Sequence, residues 1–110
     1  MPNEEIGEVT LTSGAERKQK MAKVPLQSLV DYLERMRPGR SCVFCVGGTY
    51  NPAPSPEGGT AGVIATPSAN IAKVGVWFFA ATCSQCGDTR LFHAPQTYHA
   101  MATESGWPEL

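Results

Sequence analysis

The sequence holds four cysteines in two pairs of identical spacing, Cys42-Val-Phe-Cys45 and Cys83-Ser-Gln-Cys86, with 37 residues between the pairs. Two thiolates across a tight turn can take adjacent corners of a tetrahedron around one Zn2+, at Zn–S distances of about 2.3 Å. Two such turns complete a closed site of four thiolates. Gly87 follows the second pair directly, and Val46-Gly47-Gly48 follows the first. Glycine past the last ligand lets the backbone take positive φ and point its N–H groups back at the sulfurs. Other chemistries use the same residues. A redox dithiol needs only one CxxC, set in a βαβ pattern that surrounds neither pair. A disulfide framework or an iron–sulfur cluster also uses four cysteines. No basic-then-apolar leader opens the sequence, so a reducing cytoplasmic setting is expected, where four thiols favour a metal over disulfides. We therefore expect one structural Zn2+ held by Cys42, Cys45, Cys83 and Cys86.

The elements that must position these ligands are legible around them. Leu26, Leu29, Val30, Leu33 and Met36 recur at helical spacing and make one apolar stripe. Pro25 suits a first helical turn, Arg35 and Arg37 suit the negative end of the dipole, and Pro38-Gly39 ends the helix. The stripe is expected to cover the small sheet of the metal module. The gap between the cysteine pairs exceeds the 15–20 residues usual for this motif, so an insertion must be looped out. Asn51 to Gly62, with three prolines and three glycines, is that loop. Val63–Thr66 reads as a short strand ended by Pro67. Val74 to Thr82 reads as the strongest strand, leading into Cys83, and Thr89 to Ala94 as its hairpin partner across a turn at Cys83–Asp88. After Pro95 the pattern is weak, with Tyr98 and Met101 the candidates for a helix.

Helix, first knuckle, Gly/Pro-rich middle, apolar strand, CxxCG and closing strand together resemble the small zinc-ribbon proteins of bacteriophages and prophages. The resemblance covers about residues 25 to 94. It departs at the first knuckle, where family members commonly carry glycine after the second cysteine and often proline after the first; here Val46 and Val43 stand there. The resemblance implies a fold and a mobile-element origin, and no enzymatic activity. The expected fold class is α+β, an N-terminal helix packed on a small antiparallel zinc-ribbon sheet. Residues 1–23 are expected as a flexible N-terminal segment, 24–95 as the zinc-ribbon domain with its preceding helix, and 96–110 as a C-terminal tail.

Composition narrows the function. The 110 residues allow one small domain. No apolar run approaches the roughly 18 residues of a membrane span. The net charge of -1 hides an acidic start, where Glu4, Glu5, Glu8 and Glu16 stand without a basic residue. It also hides a basic stretch over 17–40, where seven Lys and Arg face only Asp31 and Glu34. Arg35, Arg37 and Arg40 could contact phosphates with Lys18, Lys20 and Lys23, or simply solvate a helix face. The consecutive Trp77, Phe78 and Phe79 cannot all face one side of a strand. Either Phe78, or Trp77 with Phe79, faces away from the helix; aromatic surface left open there would serve a protein interface or a homodimer.

His93 and His99 are not needed as ligands, because four thiolates saturate zinc. Ser84 reads as a turn residue, and no nucleophile with an acid–base partner stands out. The leading expectation is a non-catalytic zinc-ribbon protein that docks on another protein, such as a host transcription or defence complex, through Arg35, Arg37, Arg40, Trp77 and Phe79. The alternative is a nucleic-acid-binding ribbon using the basic 17–40 stretch.

Overall fold

The computed structural model describes residues 16–68 and 71–110. Glu4, Glu5 and Glu8, and with them most of the segment expected to be flexible, lie outside the described residues. The part of that segment from residue 16 is not loose. Residues 16–22 form helix α1, and Met21 and Val24 are buried. Two apolar side chains entering the core outweigh the charged residues around them, so the chain is anchored before residue 24.

Helix α2 spans Leu26–Met36. Its predicted stripe divides in practice: Leu29 and Leu33 are buried and Leu26 packs on the core, whereas Met36 stays two-thirds exposed. The Arg37 N–H donates to Leu33 O and closes the last turn, and a short 3-10 turn over Pro38–Arg40 leads to the first cysteine.

Strand β1 is Tyr50–Pro52, β2 is Val63–Ser68, β3 is Ile71–Cys83 and β4 is Thr89–His93. All pairings between these four strands are antiparallel and run through β3. Ala81 and Thr82 pair with both β1 and β4, and Phe78 and Phe79 pair with both β2 and β4. A strand has only two edges, so β1 and β2 share one edge of β3, end to end, and β4 takes the other.

The excursion between β1 and β2 is the inserted loop, and it is tied down at both ends. Gly62 N donates to Ala53 O and Ser55 N to Thr60 O across the loop. Leu26 N donates to Gly59 O and Ala61 N to Val24 O, which staples it to the start of α2. The expectation that residues 51–62 carry no strand is corrected at its first two residues, because Asn51 and Pro52 complete β1. Likewise Pro67 does not end β2. It sits in a strand whose only partner is β3 among the described residues, where a missing N–H can face outward.

The larger correction concerns residues 96–110, expected as a tail. Ala94–Ser105 form helix α3, with Ala94, Thr97, Tyr98, Met101 and Ala102 buried. The His93 ring accepts from Gln96 N at its start, and Gly106 ends it. The Tyr98 and Trp107 rings pack at 5.8 Å between centroids, tilted 43° to each other, and the Tyr98 hydroxyl donates to Pro108 O at 2.8 Å. The fold is therefore α+β, with helices gathered against one small antiparallel sheet: α2 lies against β1 and α3, and α3 against β3 and β4. Phe79 and Ala81 of β3, Tyr50 of β1, and Cys42 and Cys83 join the helical residues in a single core. No helix among the described residues is long and apolar enough to cross a membrane.

Candidate metal centre

The two cysteine pairs meet at the end of the sheet. The register places Tyr50 opposite Cys83, so the chain leaving the first knuckle as β1 is zipped to the chain entering the second as β3. Cys42, Cys45, Cys83 and Cys86 bring their four Sγ atoms within 4.8 Å of one another. Cys42–Cys86 and Cys45–Cys83 are each 3.6 Å apart. A tetrahedron with 2.3 Å metal–sulfur bonds has edges of about 3.8 Å, so the cluster fits one tetrahedrally bound ion.

Backbone amides surround the sulfurs. Phe44 N and Cys45 N donate to Cys42 Sγ at 3.3 and 3.4 Å, and Gln85 N and Cys86 N donate to Cys83 Sγ at the same distances. The second knuckle adds Asp88 N to Cys86 Sγ at 3.4 Å, a bond with no counterpart on Cys45 among the described residues. Gly87 turns the chain there at φ 82°. In the first knuckle the same left-handed turn falls on Val46, at φ 66°. The expectation that Gly47 and Gly48 would supply that turn is corrected. Gly48 serves a different need, since a Cβ at that position would overlap Cys83 Sγ.

The knuckles are also stitched to each other. Ser84 N donates to Thr49 O at 2.9 Å, and Thr49 N donates to Ser84 Oγ at 3.2 Å, which gives Ser84 its place in a turn. Behind Cys42 the Tyr50 hydroxyl donates to Asp88 Oδ2 at 2.6 Å and accepts from Val43 N at 3.2 Å; Arg90 Nε reaches the same carboxylate at 2.9 Å. Reading the sequence missed Tyr50 and Asp88. The available signal was positional: one opens the strand after the first knuckle, and the other follows the glycine of the second.

The electrostatics describe a site that calls for a cation. Burial opposes ionisation of Cys42, but the amides of Cys45 and Phe44 and the side chains of Tyr50 and Cys86 outweigh it and bring its thiol down to about 6. The Cys86 amide, helped by that of Gln85, outweighs burial and lowers Cys83 as well. The Asp88 amide favours the Cys86 thiolate, yet burial and the sulfurs of Cys45, Cys42 and Cys83 prevail and push it up to about 12. Sulfurs packed this close oppose one another's ionisation. A dication on the four sulfurs removes that conflict.

The remaining candidates lie elsewhere. Arg35 pairs with Glu104 and lies over the Tyr32 ring; Arg40 pairs with Glu34 and donates to Tyr50 O. Arg37 Nε donates to Ser41 O at 2.6 Å. Phe79 is fully buried and Trp77 packs beside it on the core. Phe79 is thus corrected from an interface candidate to a core residue, because the helices cover this face of β3. His99 pairs with Glu109 at 2.9 Å, and neither histidine belongs to the sulfur cluster. Comparison with protein-family models, curated proteins and solved structures returned no match.

Proposed function

We propose that this chain is a zinc ribbon that binds one structural Zn2+ and works, without catalysis, by docking on another protein in a reducing compartment. Cys42, Cys45, Cys83 and Cys86 would hold the ion. Bound zinc would clamp the two knuckles together, and four thiolates leave no open position for a substrate. The observation that carries the docking role is the first knuckle itself, where Phe44 and Val46 are 76% and 78% exposed. Exposed apolar side chains gathered into one patch mark an interaction site, whereas single ones are ordinary surface. Nucleic-acid binding is less favoured, since Arg35 and Arg40 already have carboxylate partners. The order of helix, knuckle, loop, strand and second knuckle also follows that of the phage-type ribbons the sequence resembles. On that resemblance the proposed partner is a host protein complex.

Two measurements test the reading. Elemental analysis of the purified chain should return one zinc per molecule, and a metal-free protein with a native melt is incompatible with it. Affinity purification from the native cell, run with and without nuclease, should recover a nuclease-resistant protein partner. Recovery that disappears with nuclease transfers the role to nucleic acid.

A further inference from the structure

Five of the seven large apolar side chains left exposed among the described residues gather around the first knuckle: Met36, Val43, Phe44, Val46 and Leu91. Met36, Val43 and Leu91 form the walls of a groove of about 260 Å3, with Leu33 and Phe92 also lining it. That volume is below the roughly 300–1,000 Å3 of small-molecule sites, and suits one or two anchoring side chains instead. Among the described residues the charged ones that line the groove are Arg37, Arg40 and Arg90, with no carboxylate. Arg40 and Arg90 are paired with Glu34 and Asp88, whereas Arg37 has no carboxylate partner among the described residues. Its one side-chain bond among the described residues, from Nε to Ser41 O, leaves the outer guanidinium nitrogens available for a bidentate contact.

Resting on the docking role proposed above, we infer that this groove binds a linear segment of a partner protein carrying a bulky apolar side chain beside a carboxylate. The apolar side chain enters between Met36, Val43 and Leu91, and the carboxylate pairs with Arg37. Four thiolates around a dication carry a net charge of -2, so the acid is directed to the α2 end of the groove and the apolar residue to the knuckle end. The exposed Phe44 and Val46 extend the contact beyond the groove.

The test is selection of random linear peptides on the zinc-loaded full-length chain, followed by affinity measurement of the enriched peptides. Expected are peptides that pair a large apolar residue with Asp or Glu. Met36→Glu, Leu91→Glu and Arg37→Glu should each weaken them at least about tenfold. Ile64→Glu, on the outer face of the sheet, should leave binding unchanged. All four positions are solvent-exposed, and retained zinc with an unchanged melt certifies each variant. Enrichment of basic or uncharged peptides, or no enrichment, overturns the inference. So does binding that ignores the three groove variants; if Ile64→Glu then abolishes it, the docking role survives at another surface while the groove assignment fails. Self-association abolished by Leu91→Glu would make the occupant a second copy. A tenfold gain in peptide affinity on changing Glu4, Glu5 and Glu8 to Gln would make it the chain's own acidic segment. Either outcome removes the external peptide.

Discussion

Val46 shows how much one side chain can cost a metal knuckle. The tight turn after Cys45 needs a left-handed residue, and Val46 supplies it at φ 66° where Gly87 does the same work without a Cβ. A β-branched residue there is a true outlier, at a cost of roughly 1–2 kcal/mol. Val46→Gly should therefore raise the unfolding free energy of the zinc-loaded protein by about that amount, seen as a higher denaturant midpoint with zinc retained; an unchanged or lowered midpoint removes the strain argument. Gly48→Ala should do the opposite. Its new Cβ meets Cys83 Sγ, so chelator competition should show weaker zinc binding although no ligand has changed.

Asp88 gives a third test at this scale. The Tyr50 hydroxyl, and behind it Arg90, hold its carboxyl below the usual carboxylate range against the opposing effect of burial. A depressed folded pKa contributes stability above the unfolded value, about 4, and loses it as pH falls through the folded value. Asp88→Asn should thus be less stable than the wild type at pH 7 and still at pH 5. The gap should close only below about pH 4. Zinc affinity should fall about 10- to 100-fold in the same variant, as it does when a group supporting metal ligands is lost. A gap that closes already between pH 7 and pH 5 would show that the carboxylate is not held in this way.

At the scale of elements, what could be read in the sequence follows apolar contrast. Helix α2 was legible because Leu26, Leu29 and Leu33 mark its inner face against charged neighbours. The β3–β4 hairpin was legible from its β-forming residues and the knuckle between them, although β3 begins at Ile71 rather than Val74. Helix α3 was not. Its buried face is Ala94, Thr97, Tyr98, Met101 and Ala102, in which small and polar residues dilute the periodic signal. The pattern weakens after Pro95, yet that residue stands in the first turn of the helix, where it is tolerated. The Gly/Pro-rich loop was legible as an insertion, but not its pairing with residues 24–26, because backbone hydrogen bonds leave no mark on side-chain type. If α3 is core rather than tail, Met101→Ala should cost about 2–5 kcal/mol in chemical denaturation. A cost within the roughly 0.5 kcal/mol of an ordinary surface change would return 96–110 to the status of an appendage.

At the scale of the whole molecule, metal centre and core are one structure. Cys42 and Cys83 belong to the four-sulfur cluster and are also buried members of the apolar cluster that holds Phe79, Tyr98 and Met101. Loop, α2 and α3 all close on the sheet whose end the knuckles clamp. A chain of 110 residues with so many glycines, prolines and buried alanines has little apolar area with which to offset its conformational entropy. Zinc in comparable small sites contributes about 10–16 kcal/mol of apparent binding energy at neutral pH, comparable to the whole stability of a domain. Removing it should therefore not merely loosen the knuckles. Chelation should abolish the cooperative melt and release the contact between Tyr98 of α3 and Trp107, seen as a shift in tryptophan emission and loss of near-UV dichroism. Cys83→Ser should behave in the same way, because it removes a ligand and places an unmatched hydroxyl in the core. If chelation altered only signals near the cysteines and left a native-like melt, the core would be self-sufficient. The ion would then be an ornament on a fold that does not need it.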